Sequence, residues 1–505
     1  MESVGIIDIG SNTVRLSVVE LRPDGAYRVR HEQKAGLRLA DRLGPERVLG
    51  PVAAAETSRI LSAFAAAGAD WQVGLWLAVG TAAVRQAVDG AAFLHTVAEG
   101  TGITPRLLGG EEEARLGLIG ALNTLAETEG FAVDVGGAST EVTRFTDRRR
   151  TASLSLPLGA VNATARFGFG EAAPAAALEA LRAALDAEAT AAQWLRPTPG
   201  ATLIGIGGTV RSISKLDRKR RGYPLHATHN YALDPAEVLD LAERLAVMSA
   251  RDRERLPGLE PERADLIAAG AALLGWVITR LEPARLIVSG AGLREGLFFS
   301  HLLRDRAEPL FPDVLEASTE NLERLHGLPE VRARRLGALA AALWDQLGPL
   351  VGAPAAAARL VPPAARLREV GSALSYYDWE QHTFYLLREA RLYGLDHRER
   401  LLLAAAASYA GPGRVREHLQ PFGSLLAPGD ERLAVRMGVT AALTHAVDRA
   451  CRGAALPLEV AAVPSAVRLT PATPPLDGAL APATLAEDFR KAFGRALGLG
   501  PAPGA

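Results

Sequence analysis

The chain has a single cysteine, Cys451, and lysine only at Lys34, Lys215, Lys219 and Lys491. One thiol cannot build an intramolecular disulfide framework, so the chain reads as a protein of a reducing compartment. Lysine is scarce because arginine replaces it alongside abundant alanine, a compositional bias that carries no function. An excess of either charge is also missing. The 56 basic and 57 acidic side chains leave a net charge of −1, so nucleic acid is not an expected partner and any polyanion would need a local basic track. Long apolar runs are absent. The longest, Leu266 to Ile278, is too short to cross a bilayer as a helix. The first apolar run is flanked by Glu2 and Asp8 rather than by a basic segment, which argues against a signal peptide. A cytoplasmic protein without a membrane partner is the expectation.

What is present is an α/β pattern. A length of 505 residues predicts two to four domains. Val4–Ile9 and Val14–Leu21 read as strands joined by a polar turn. Further short strands are expected at Trp76–Val79, Phe131–Val135, Glu141–Phe145, Ala201–Ile206 and Leu286–Ser289. Helical stretches are expected at Val52–Ala67, Glu111–Leu122 and Pro174–Leu195, and behind Gly207-Gly208-Thr209. Alternation of this kind predicts an α/β architecture. Asp8-Ile9-Gly10-Ser11 and Asp134-Val135-Gly136-Gly137 form a weak internal repeat that suggests duplicated lobes around a cleft. Beyond Phe299 helical runs take over, including Val331–Leu347 and Glu399–Tyr409. The Pro/Ala-rich tail from Ala454 carries strands at 458–469 and ends in a flexible Gly/Pro segment after Leu497.

Four apolar strands end in small, hydroxyl-bearing turns: Gly10-Ser11-Asn12-Thr13, Gly80-Thr81, Gly136-Gly137-Ala138-Ser139-Thr140 and Gly207-Gly208-Thr209. Small side chains let backbone N–H groups close on an anion, and Ser or Thr adds donors. Any one such turn is explained by strand termination. Four of them at strand C-termini, where α/β sheets place ligands, point to phosphate. Asp8 and Asp134 each stand two residues before glycine at a strand end. Either alone could be an Asx-turn cap. As a matched pair they point to a divalent metal, because a carboxylate near the apolar end of a strand needs a partner. Glu111-Glu112-Glu113 opens a helix, where the dipole alone favours acidic residues. Any of the three, if turned toward phosphate, could polarise a water. Arg85 follows Gly80-Thr81 by about one helical turn, either as an exposed helix charge or as a phosphate fork. Arg148–Arg150 and Arg218–Arg221 read as solvated loop charges rather than as a polyanion track.

These segments, with Gly110-Glu111-Glu112-Glu113-Ala114-Arg115-Leu116 and Ser289-Gly290-Ala291-Gly292-Leu293-Arg294-Glu295-Gly296, occur in an order that resembles the exopolyphosphatase / guanosine pentaphosphate phosphatase (Ppx/GppA) family. The resemblance covers residues 1–300. It implies two actin-like, ribonuclease H-like lobes around a cleft, at 1–118 and 119–303, followed at 304–505 by a mostly helical domain similar to HD-type phosphohydrolases. It implies Glu113 as catalytic base and Asp8, Asp134 and Glu141 as carboxylates for Mg²⁺ or another divalent cation. Asp134 and Arg85 are implied as catalytic, with Arg85 on phosphate. The substrate is then inorganic polyphosphate or guanosine pentaphosphate, and the assembly a homodimer. Ala138 departs from the family's third glycine and predicts a modest change in the loop. In the C-terminal domain His326 and His382 stand where histidines are placed. Arg368-Glu369 replaces the His-Asp doublet, so that domain is expected to do no chemistry and to shape a substrate channel or a dimer. A sugar kinase or chaperone ATPase of the same fold fits the 111–116 segment poorly. The retained Glu113 and Asp134 argue against an idle nucleotide sensor.

Overall fold

The apolar run expected at Val4–Ile9 lies at the centre of a sheet. In the computed structural model, which describes residues 2–44, 46–475 and 480–500, the chain divides into two compact units, Met1–Val314 and Leu315–Ala505. The first unit opens with an antiparallel meander of β1 (Glu2–Ile9), β2 (Thr13–Leu21) and β3 (Tyr27–Gly36). Strand β4 (Val73–Gly80) returns parallel to β1, and β5 (Arg106–Leu107) parallel to β4, giving the order β3-β2-β1-β4-β5. Val4, Ile6, Ile7 and Ile9 are all buried because helices or neighbouring chain cover both faces of β1. Strand β3 was not expected. Its alternation is carried by Arg28, Arg30, Glu32 and Lys34, charges that suit an edge strand and hide it from an apolar-pattern reading.

The second sheet repeats the first. Another meander comprises β6 (Gly130–Val135), β7 (Thr140–Thr146) and β8 (Arg149–Leu156), and β9 (Thr202–Ile206) returns parallel to β6. Strand β10 (Tyr231–Leu233) caps the far edge, antiparallel to β11 (Arg285–Val288), which runs parallel to β9. The order β8-β7-β6-β9-β11 matches β3-β2-β1-β4-β5 strand for strand, with β10 added. The weak repeat in sequence is therefore a full repeat in topology.

Two helices join the sheets. Gly110–Leu122 packs against Leu293–Leu302, and two glycines permit the close approach. A Cβ on Gly296 would collide with the Leu116 carbonyl, and one on Gly120 with the Gly292 carbonyl. Ile267–Leu281 is buried nearly all round within the second lobe's core. Among the described residues no helix is long and apolar enough to cross a membrane.

Three expectations need correction here. The helix expected over Pro174–Leu195 stops at Glu188. Short turns then bring Leu195 into the core and lay Trp194 parallel to Phe131, with ring centroids 6.4 Å apart. Arg149 and Arg150 belong to β8, and the Arg148 guanidinium donates to the Leu122 and Phe311 carbonyls at 3.0 Å, so that run is no solvated loop. Arg218 to Arg220 close the helix Gly207–Arg220, and Arg220 and Arg221 pair with Asp217 and Glu237.

The second unit is mainly helical. Its helices include Glu330–Leu350, Trp379–Glu389, His397–Ala407 and Asp430–Ala450. The tail adds β12 (Leu458–Ala462) antiparallel to β13 (Ala466–Pro471), then the helix Ala483–Phe493, then β14 (Ala496–Leu499) parallel to β13. The Gly/Pro segment expected after Leu497 therefore begins as strand, and residues 501–505 lie outside the described residues. A buried ion network ties this unit together: Arg366 bridges Glu316 and Glu323, and Asp448 pairs with Arg335.

Candidate active site

Both meanders turn in the same way. Gly10 N–H donates to the Thr13 carbonyl at 3.1 Å, and Gly136 N–H to the Ser139 carbonyl at 2.9 Å. Each turn follows an aspartate on its first strand, Asp8 or Asp134, so the repeat places two carboxylates at matching strand ends. Both turns, the Thr81 turn after β4 and the N-terminus of the helix Gly207–Arg220 line one cavity of about 160 Å³ between the lobes. A helix N-terminus presents unpaired N–H groups and a favourable field to an anion. Gly207 has φ of +89°, and a Cβ there would strike Asp134 Oδ1, so only glycine lets the helix start beside that carboxylate.

The structure gathers Asp8, Gly10, Ser11, Asn12, Thr13, Thr81, Glu113, Asp134, Gly136, Gly137, Ser139, Glu141, Gly207, Gly208 and Thr209 on the cavity wall. Three expected phosphate contacts lie behind it. The Thr140 hydroxyl donates to the Leu158 carbonyl at 2.7 Å. Ala138 is buried, with its carbonyl accepting from Gln86 Nε2 and Asn162 Nδ2. Its φ is not left-handed, so the missing glycine causes no strain. Arg85 does not reach the cavity, because its NH1 donates to the Leu108 carbonyl at 2.9 Å and to Glu113 Oε2 at 2.7 Å.

The three consecutive glutamates separate by helical rotation. Glu111 is exposed, 3.8 Å from Arg150, and Glu112 pairs with Arg106 at 2.7 Å. Only Glu113 turns inward, with 15% of its side chain exposed. Burial pushes its carboxyl up to about 7, with Arg85 opposing and Asp134 adding to the rise. Burial likewise pushes Asp134 up to about 6, against the pull of Arg211, and raises Asp8. Glu141 is raised by burial and by Glu113, while Ser155 Oγ donates to it at 3.0 Å.

The Asp8 charge adds to the rise at Asp134, and Glu113 and Asp134 both add to the rise at Glu141, which lies 3.9 Å from Arg85. Among the described residues no three His, Cys, Asp or Glu side chains converge as a metal cluster. Asp8, Asp134 and Glu141 all line the cavity, with Glu141 the cross-strand partner of Asp134. Asp8 Oδ1 is buried and has no hydrogen-bond partner.

The cavity also carries four arginines to which the sequence assigned no role, Arg15, Arg211, Arg263 and Arg294, the last inside the Ser289–Gly296 motif. Arg15 is the cross-strand partner of Asp8, and burial with Arg211 and Arg294 nearby pushes it down to about 10. An arginine inside the apolar strand Val14–Leu21 was the available signal. Arg211 stands two residues after Thr209 of the Gly207-Gly208-Thr209 turn, and its NH1 donates to the Gly290 carbonyl at 3.2 Å. The local basic track is thus assembled from dispersed positions rather than from the Arg148–Arg150 or Arg218–Arg221 runs.

Residues 18–305 match the Ppx/GppA phosphatase family, and residues 314–433 match domain III of Ppx/GppA phosphatases. The chain belongs to the Ppx/GppA phosphatase family. Its first part superposes on the crystal structure of the Aquifex aeolicus family member with a TM-score of 0.52 and 26% identity, covering 60% of this chain and 99% of that one. An exopolyphosphatase from Cytophaga hutchinsonii shares the fold, with a TM-score of 0.55 and 21% identity over 60% of this chain and 98% of that one. The duplicated sheets are the actin-like lobes of this Ppx/GppA phosphatase, and the second unit is its helical C-terminal region.

Proposed function

We propose that this Ppx/GppA phosphatase hydrolyses the terminal phosphoanhydride of inorganic polyphosphate and releases orthophosphate. The observation that carries the reading is Glu113: alone among three glutamates it faces a cavity walled by phosphate-type turns and arginines, with a carboxyl held near neutrality. A base whose pKa lies close to the working pH is both available and strong enough to take a proton. Arg85 acts behind it, holding the carboxylate in one orientation through the 2.7 Å contact. Glu113 positions a water against the terminal phosphorus and accepts its proton as the new P–O bond forms. The bridging P–O bond breaks, and the shortened chain leaves with its charge.

The N–H groups of the Gly10 and Gly136 turns and of the Gly207 helix start receive the phosphate oxygens. Arg15, Arg211, Arg263 and Arg294 hold the rest of the polyanion. The donors fit a hard divalent cation such as Mg²⁺. Asp8 and Asp134 are buried carboxylates at matching strand ends, and Asp8 Oδ1 is unpartnered, so these two would hold it, with Glu141 across the strand pair from Asp134. When bound, the cation neutralises charge on the phosphate oxygens. The same reading keeps the lobes at 1–118 and 119–303, with the helix Gly110–Leu122 passing from one to the other, and a cytoplasmic homodimer that sedimentation can check.

Phosphate release from long-chain polyphosphate, guanosine pentaphosphate and ATP, each with Mg²⁺, tests the proposal. Polyphosphate is expected to be the fastest. Faster release from guanosine pentaphosphate would move the assignment to the nucleotide, and no release from any of the three would end the hydrolase reading.

A further inference from the structure

The second unit contains a larger cavity of its own, about 570 Å³, a volume typical of small-molecule sites. Arg368, where the resemblance implies a His-Asp doublet, is on its wall. This guanidinium is partly buried, and among the described residues no carboxylate hydrogen-bonds to it. Its donors go instead to the Ala407 and Tyr409 carbonyls, at 3.1 and 2.7 Å. Arg449, also on the wall, brings a second positive charge close enough to act on Arg368.

The two acids on the same wall are already committed. Glu369 takes hydrogen bonds from Arg332 at 2.6 Å and stands 3.2 Å from His445 Nδ1. Asp488 accepts the Tyr409 hydroxyl at 2.9 Å. Glu369 is also 3.9 Å from Arg449, and both Glu369 and Glu380 act on Arg368, so one carboxylate is shared among Arg332, His445 and Arg449 and neither cavity arginine has an acid to itself.

Aromatic rings stand beside them. Arg368 lies over the Trp379 ring, 4.9 Å from its centroid, so one face of that indole is already occupied by a cation. Tyr376 lines the cavity yet is 79% exposed, and the neighbouring Tyr377 is equally exposed. Exposed tyrosines at the edge of a cavity that holds two arginines are a poor match to bare phosphate and a good match to an anion that carries a flat ring.

We propose that this cavity is a binding site for a nucleotide, with the phosphates on Arg368 and Arg449 and the base against Tyr376. The site is separate from the cleft chemistry and does not depend on the proposed polyphosphatase reaction. It gives the C-terminal unit a ligand-binding role in place of the channel or dimer role expected from sequence.

Isothermal titration of the full chain with ADP, GDP and pyrophosphate tests it. Arg449→Glu and Tyr376→Ala alter exposed side chains, so both variants are expected to fold and to release phosphate in the cleft at the parental rate. Each should weaken nucleotide binding at this site at least tenfold, or remove one equivalent from the binding stoichiometry. Arg449→Lys should recover part of the loss. Unchanged nucleotide affinity and stoichiometry in both variants would overturn the proposal. So would pyrophosphate binding as tightly as ADP and GDP with no effect of Tyr376→Ala, since the site would then hold a bare anion.

Discussion

Glu113 and its two neighbours show what a single side chain's direction decides. Successive helical residues rotate by about 100°, so Glu111 and Glu112 meet Arg150 and Arg106 at the surface while Glu113 meets Arg85 inside. Replacing Glu113 by Gln should lower kcat by roughly 10²–10⁴-fold, the usual contribution of a positioned base, with KM little changed. The same change at Glu111 or Glu112 should leave phosphate release within a few-fold of the parent. Arg211 makes a different prediction. Arg211→Ala should raise KM for polyphosphate roughly tenfold, in line with loss of one charge-assisted hydrogen bond of about 1.5 kcal/mol. It should also flatten the dependence of kcat/KM on ionic strength, because one screened contact is gone. At this scale sequence placed the turns and the acids but not the arginines. Arg15, Arg211, Arg263 and Arg294 lie far apart in the chain, and only the folded lobes bring them to one wall.

Elements were legible where their apolar pattern was strong. The runs that became β1, β6, β9 and β11 are buried on both faces and stand out as short apolar segments. Strands β3 and β8 were hidden because their exposed faces carry arginines, glutamate and lysine, so each resembles a polar loop. The helix after Pro174 was drawn too long because alanine favours helix throughout the segment, while the core's need for Leu195 and Trp194 breaks it at Glu188. The pairing of Gly110–Leu122 with Leu293–Leu302 depends on glycine contacts that no periodicity reveals. Gly296→Ala would push a methyl against the Leu116 carbonyl. Overpacking of this kind typically costs about 1–3 kcal/mol, which a urea unfolding curve should report as a lower midpoint with an unchanged slope.

The whole molecule is close to neutral, and its charges are sorted by place rather than by total. Arginines collect in the interlobe cavity, while the C-terminal unit buries its own ion network. That unit should be acid-sensitive. The His418 imidazole lies flat on Phe384 with centroids 4.2 Å apart, and Ser408 Oγ is 3.1 Å from its Nδ1. Burial, with Arg414 nearby, pushes His418 down from 6.5 to about 4. The folded state therefore binds this proton less readily than the unfolded state. The stability it contributes is complete above about pH 6.5 and is lost as pH falls toward 4. Thermal unfolding of the full chain across that window should show a falling Tm, and His418→Gln should have a shallower slope there.

The two halves repeat closely enough that a charge mismatch beside the paired aspartates is informative. Arg15 sits opposite Asp8 in the first sheet, where Glu141 sits opposite Asp134 in the second. Duplication supplied two equivalent positions, and divergence gave them opposite charge. A chimera made of two first halves would carry an arginine at both positions and would lack the Ser155–Glu141 contact beside the base. One made of two second halves would place a carboxylate where the anion needs a cation. The halves have become complementary, and neither can stand in for its twin.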